Sequence, residues 1–132
     1  MSDTDYEPGV CNIGEAETNK RYKFGAIFFV VEVLFISLVL WFNFGYWVLI
    51  LSFIPLLLGF EGFYQGKFSF CASFASRGMY DVSVDGDNRV NIIDEDSHKK
   101  DLKKARRIHI YSVLTSVAIT MIIYFIAKAN II

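Results

Sequence analysis

The chain has 132 residues, 54% of them hydrophobic and 17% aromatic, and a formal net charge of -1. The net charge itself excludes little, because the distribution of the charges along the chain carries the message. The crowding of apolar residues into long runs excludes a small soluble domain with one modest core. Two cysteines without CxxC spacing exclude a disulfide framework and, by themselves, a thiolate zinc motif.

Residues 1–19 are polar, acidic and without periodicity, and read as a loose or peripherally docked tail. The start, Met1-Ser2-Asp3-Thr4-Asp5, lacks the basic lead of a signal peptide, so the first apolar run reads as a retained helix. Three runs, roughly 24–44, 46–64 and 108–127, approach the ~20 residues that cross ~30 Å of hydrocarbon. The first helix is expected to begin near Lys20 or Arg21. Asn43-Phe44-Gly45 is too short and uncharged to be anything but a tight antiparallel connection, and Trp41, Tyr46 and Trp47 place it at a headgroup level.

The second helix carries Pro55, where a mid-helix kink is expected, and ends in Gly59, Gly62 and Gly66. Gly62 and Gly66 have the small-xxx-small spacing that lets helix backbones approach. Residues 67–78 are too polar and too short to span, and read as a short helix in the interface, with Phe68, Phe70 and Phe74 alternating with small residues. Tyr80, Val82 and Val84, then Asp85-Gly86-Asp87-Asn88, then Val90 and Ile92 give a β-hairpin signal. Such a hairpin is marginal alone and needs a surface to lie on. Asp94, Glu95 and Asp96 followed by Lys99, Lys100, Lys103, Lys104, Arg106 and Arg107 read as the start of a helix that continues into the third span.

Twelve of the 13 Lys and Arg residues lie before the first run or between the second and third; only Lys128 lies beyond the third. The positive-inside rule then puts the N-terminus and the long loop in the cytoplasm and the C-terminus outside. The expected fold is an all-α membrane protein. A cytoplasmic tail (1–19) leads to a transmembrane helical hairpin (20–65). An insertion with an interfacial segment and a small β-hairpin (66–98) follows, then a basic helix running into the third span (99–132).

Candidate chemistry is sparse. Glu32 sits within the first run, where a lipid-facing carboxylate costs roughly 2.5–3.5 kcal/mol, so it should face protein or water. It is either a proton relay or ion site, or a protonated or hydrogen-bonded glutamate facing a neighbouring helix or another subunit. Glu61, near Gln65 and Lys67, reads as an interfacial carboxylate paired to a base. Cys11, Cys71, His98 and His109 match no metal spacing even with Glu15 or Glu17, and Asp85-Gly86-Asp87-Asn88-Arg89 fails the EF-hand pattern. The cluster from Lys99 to Arg107 suits anionic lipid headgroups, at ~1 kcal/mol per charge, or serves topology alone. It has no stacking platform for nucleic acid. His109 at the edge of the third run and Met121 within it do not make a haem site, and no catalytic residue, cofactor or metal is expected.

Two stretches resemble a small uncharacterised family of prokaryotic integral membrane proteins: Cys11 to Glu17 with Arg21 and Gly25, and Gly62 to Gln65 with Phe70 to Phe74, Arg77 and Gly78. The resemblance implies that the N-terminal segment and the segment after the second helix meet, bringing Cys11 towards Cys71. It carries no activity, and the longer loop and hairpin depart from it.

By elimination, the expectation is a non-catalytic accessory or structural subunit of a larger prokaryotic cell-membrane complex, such as a respiratory or other redox enzyme. Its partners would be other membrane subunits and membrane lipids. The alternatives are a homo-oligomeric transporter or channel using Glu32, and a thiol redox or metal-handling protein using Cys11 and Cys71.

Overall fold

A computed structural model describes residues 6–83, 89–92 and 94–130. It contains three helices long and apolar enough to cross a membrane, and a two-stranded antiparallel sheet. Helix α1 spans Glu15–Trp41. It begins earlier than the start expected near Lys20, because Glu15 and Glu17 sit well at the positive end of the helix dipole and Thr18 N–H bonds Gly14 O at 2.9 Å. At its far end Phe44 N–H donates to Val39 O while Asn43 takes a left-handed φ of 57°, a Schellman ending with asparagine in place of glycine. Gly45, with φ 99°, completes the reversal.

The second crossing is two helical types in series: a 3₁₀ segment Tyr46–Ser52, then α2 over Phe53–Lys67. Pro55 therefore lies in the first turn of α2, where a missing N–H is tolerated, and the expected kink becomes a change of helical pitch. The looser 3₁₀ rise brings the pair to a length of about 36 Å, enough to cross the hydrocarbon.

Helix α2 ends in a complete Schellman motif. Phe70 N–H donates to Gln65 O and Ser69 N–H to Gly66 O, with Ser69 at φ 49°. Helix α3, Ala72–Arg77, follows. Phe70, Ala72, Phe74 and Ala75 are buried, packed in two clusters with Ala105 and Ile108 of the third crossing and with Ile13. Strands β1 (Met79–Tyr80) and β2 (Val90–Asn91) pair antiparallel, with Tyr80 opposite Val90. The expected Asp85-Gly86 turn lies outside the described residues. The surface this ribbon needs comes from Tyr6, whose ring stacks on Tyr80 at 4.1 Å. Helix α4 runs Glu95–Asn130. At 1.5 Å per residue its length is about 54 Å, so its basic first part extends beyond a bilayer that its apolar part can cross.

Helices α1 and α4 each pack on α2 and its 3₁₀ lead, and scarcely on each other. The α1–α2 seam is backbone against backbone. A Cβ on Gly62 would lie 2.6 Å from Gly25 N and 2.7 Å from Arg21 O. Gly59 and Gly66 instead receive the rings of Phe29 and Tyr22. The glycine spacing seen in the sequence thus serves contact within the chain. At the hairpin end, Val39, Leu49 and Ala127 form the remaining core cluster.

Candidate functional site

Where α1 and α4 flank α2 and scarcely touch, a cleft opens between them at the basic end of the bundle, lined also by the α3 region. Its volume is about 950 Å³. Helix α1 contributes Lys20, Arg21 and Phe24, and α2 contributes Gly62 and Gln65. The α3 region contributes Cys71, Ala72, Ser73 and Ser76, and α4 contributes Leu102, Ala105, Arg106 and His109. These four positions of α4 fall at helical spacing on one face. Phe24, Gly62, Ala72, Leu102 and Ala105 make much of the wall apolar, while Lys20, Arg21, Arg106 and His109 supply basic groups.

The charges around the cleft are partly neutralised. Glu17, only 2% exposed, lies 3.1 Å from Lys20 Nζ and 3.3 Å from an Arg21 guanidinium nitrogen. Arg21 also donates to Cys71 Sγ at 2.8 Å. His109 Nδ1 lies 2.6 Å from Glu61 Oε1, and Gln65 donates to the other oxygen of Glu61. The base partnered with Glu61 is therefore His109 from α4, where proximity in sequence suggested Lys67. Arg106 is exposed and has no ion-pair partner among the described residues.

Next to the cleft, two polar residues bind the segments together. Asn12 is fully buried; its amide nitrogen donates to Cys71 O, and its amide oxygen accepts from Cys71 N–H at 2.7 Å. Its backbone N–H donates to Ser69 O and its own carbonyl accepts from Asp81 N–H. Asp101 of α4, also fully buried, accepts from Tyr6 Oη at 2.7 Å and from Gly9 N–H at 2.8 Å. Residues 6–14, expected as a tail, are thereby docked onto α4 and the segment after α2. Burial, with the Asp101 carboxylate adding to it, pushes the Tyr6 hydroxyl well above its ordinary range. Burial also pushes the Cys11 thiol up.

The segments carrying Cys11 and Cys71 do meet, through Asn12. Both thiols are buried, Cys11 donating to Ile13 O and Cys71 accepting from Arg21. Among the described residues no three His, Cys, Asp or Glu side chains converge on a metal position. Glu32 is 4% exposed on the α1 face that packs on the second crossing, and its oxygens have no hydrogen-bond partner among the described residues. Ser52 lies near it but outside hydrogen-bond geometry.

Of the six basic residues from Lys99 to Arg107, Arg106 lines the cleft. Lys104 lies over the Phe68 ring at 4.3 Å, and the Lys100 side chain abuts Gly9. Lys20, Arg21, Gln65 and His109 were not grouped by sequence, because three separate helices bring them together. Asn12 and Asp101 carry no sequence signal beyond being polar residues in segments that prove to be covered. Compared with known proteins, the chain matches no family model, no curated sequence and no solved structure.

Proposed function

We propose that this chain is an accessory or structural subunit of a larger integral membrane complex, oriented with its N-terminus and basic end in the cytoplasm and its C-terminus outside. One observation carries the reading. The buried polar groups at the basic end join segments to one another: Asn12 joins residues 11–13 to Cys71 and Asp81, and Asp101 joins the N-terminal segment to α4. The result is a packed platform on three spans whose apolar faces are largely outward, with 17%, 28% and 22% of their most apolar windows buried. Such faces, capped by exposed Trp41, Phe42, Phe44 and Trp47, suit packing against other membrane helices.

The test is mild-detergent isolation of the tagged chain from native membranes, with mass spectrometry of what co-purifies. A defined set of unlike chains at stoichiometric level supports the reading. Recovery of this chain only with copies of itself sinks it.

A second reading, a small transporter or channel, is favoured by the intramembrane Glu32, which is buried without a hydrogen-bond partner among the described residues. Glu32 is covered by this chain's own second crossing, so a path would have to run inside each copy and not along an axis between copies. In that reading Glu32→Gln abolishes ion or proton flux in proteoliposomes; unchanged flux removes it.

A further inference from the structure

We propose that the cleft between α1 and α4 is a binding site for a phosphate ester, held by Lys20, Arg21 and Arg106, with an anionic phospholipid headgroup as its natural source.

The charge balance carries the first part. Three permanent cations, Lys20, Arg21 and Arg106, face the cleft, and one buried carboxylate, Glu17, serves two of them. The second carboxylate, Glu61, sits against His109. Positive charge is left over before His109 is counted at all. Arg106 is the uncommitted group, with no ion pair among the described residues. Guanidinium groups present donors in a planar fork that matches phosphate oxygens, and two of them converge here from different helices.

Position and wall chemistry carry the second part. The cleft lies where the basic run Lys20 to Lys23 gives way to the apolar run beginning at Phe24, and where the apolar part of α4 begins, at Ile108 and His109. That is the headgroup level of a chain crossing a bilayer. Below the cations the lining turns apolar, at Phe24 and Gly62. Phe24, 42% exposed, continues outward onto the open face of α1, where Ile27 and Val31 are also exposed. A ligand with an anionic head and a hydrocarbon tail matches both halves, whereas a free phosphate uses only the upper one.

The experiment uses the full chain in nanodiscs of mixed phosphatidylglycerol and phosphatidylcholine, with native mass spectrometry of the lipid that stays bound on release. R106Q removes the uncommitted cation. R107Q removes equal charge from the next residue, which does not line the cleft. K20Q is the second cleft variant, on a side chain 60% exposed and so tolerant of change. The expected result is preferential retention of phosphatidylglycerol, reduced about tenfold by R106Q and by K20Q and little by R107Q. A parallel arm adds glycerol phosphate or inorganic phosphate. Failure of both to displace the lipid assigns the site to lipid, and displacement by at least one of them, lost in R106Q, assigns the same phosphate chemistry to a soluble phosphate. Equal retention in R106Q and R107Q, or no preference for phosphatidylglycerol over phosphatidylcholine, overturns the proposal.

Discussion

Asp101 shows how much one buried side chain decides at this end of the molecule. A carboxylate with no exposed surface must have its lone pairs satisfied, and it does so by drawing in Tyr6 Oη and Gly9 N–H from a segment more than ninety residues away in the chain. Asp101→Asn should weaken docking of residues 6–14 by about 1.5–3 kcal/mol, as expected for hydrogen bonds to a charged group, read as faster proteolysis of that segment. Tyr6 adds a pH dependence. Its hydroxyl holds its proton to higher pH when docked, so with rising pH the released segment deprotonates first, above about 10. The released state then binds fewer protons than the docked one, so docking is at full strength below pH ~10 and declines above it. Tyr6→Phe should dock more weakly throughout and lack that decline. Ser69 is the opposite case, a residue under strain. Its φ of 49° is a conformation that costs a side-chain-bearing residue roughly 1–2 kcal/mol, held because it aims Ser69 O at Asn12 N–H and Ile13 N–H. Ser69→Gly should raise thermal stability in detergent by up to about 1 kcal/mol; a loss would show that the serine side chain matters.

Among the elements, the α1–α2 seam is set by absent side chains. Gly25, Gly59 and Gly62 let main chain meet main chain and ring meet main chain, the means by which helices associate where no hydrophobic effect separates protein from lipid. A Cβ at Gly62 would strike backbone atoms of Gly25 and Arg21, which cannot rotate away. Gly62→Ala should therefore cost about 1–3 kcal/mol, the range for overpacking a close contact, and Gly62→Leu should separate the helices, read as loss of a cysteine crosslink engineered across the seam. The 3₁₀ segment ahead of Pro55 is the other element-scale adjustment. The proline cannot donate to a continuous α-helix, and the chain meets this by beginning its α geometry just before it.

For the whole molecule, the asymmetry between its ends dominates. One end carries the platform, the cleft and nearly all the basic residues; the other is an aromatic turn and the end of α4. The proposed orientation follows from that asymmetry. It predicts that a cysteine placed near residue 9 is labelled by an impermeant thiol reagent only after cells are opened, and one near residue 129 in intact cells. The reverse pattern would invert the topology and move the cleft to the opposite leaflet.

How much of this was legible beforehand depends on the range of the interaction. Hydropathy runs, the tight Asn43 to Gly45 connection, the glycine spacing and the acidic-to-basic start of α4 are local signals, and each maps directly onto an element: lipid solvation and helix electrostatics act on neighbours in sequence. The burial of Phe70 and Phe74 was not legible, because alternation with small residues looks the same whether the partner is a headgroup layer or another helix. Nor were the roles of Asn12 and Asp101, the pairing of Glu61 with His109, or the convergence of Lys20, Arg21 and Arg106. By itself the sequence determined a three-span membrane protein and which of its ends is basic, because a bilayer reads composition along the chain. Only the tertiary structure decided that the N-terminal segment is docked and that a basic cleft exists, because both require side chains from distant segments to reach hydrogen-bond or ion-pair distance.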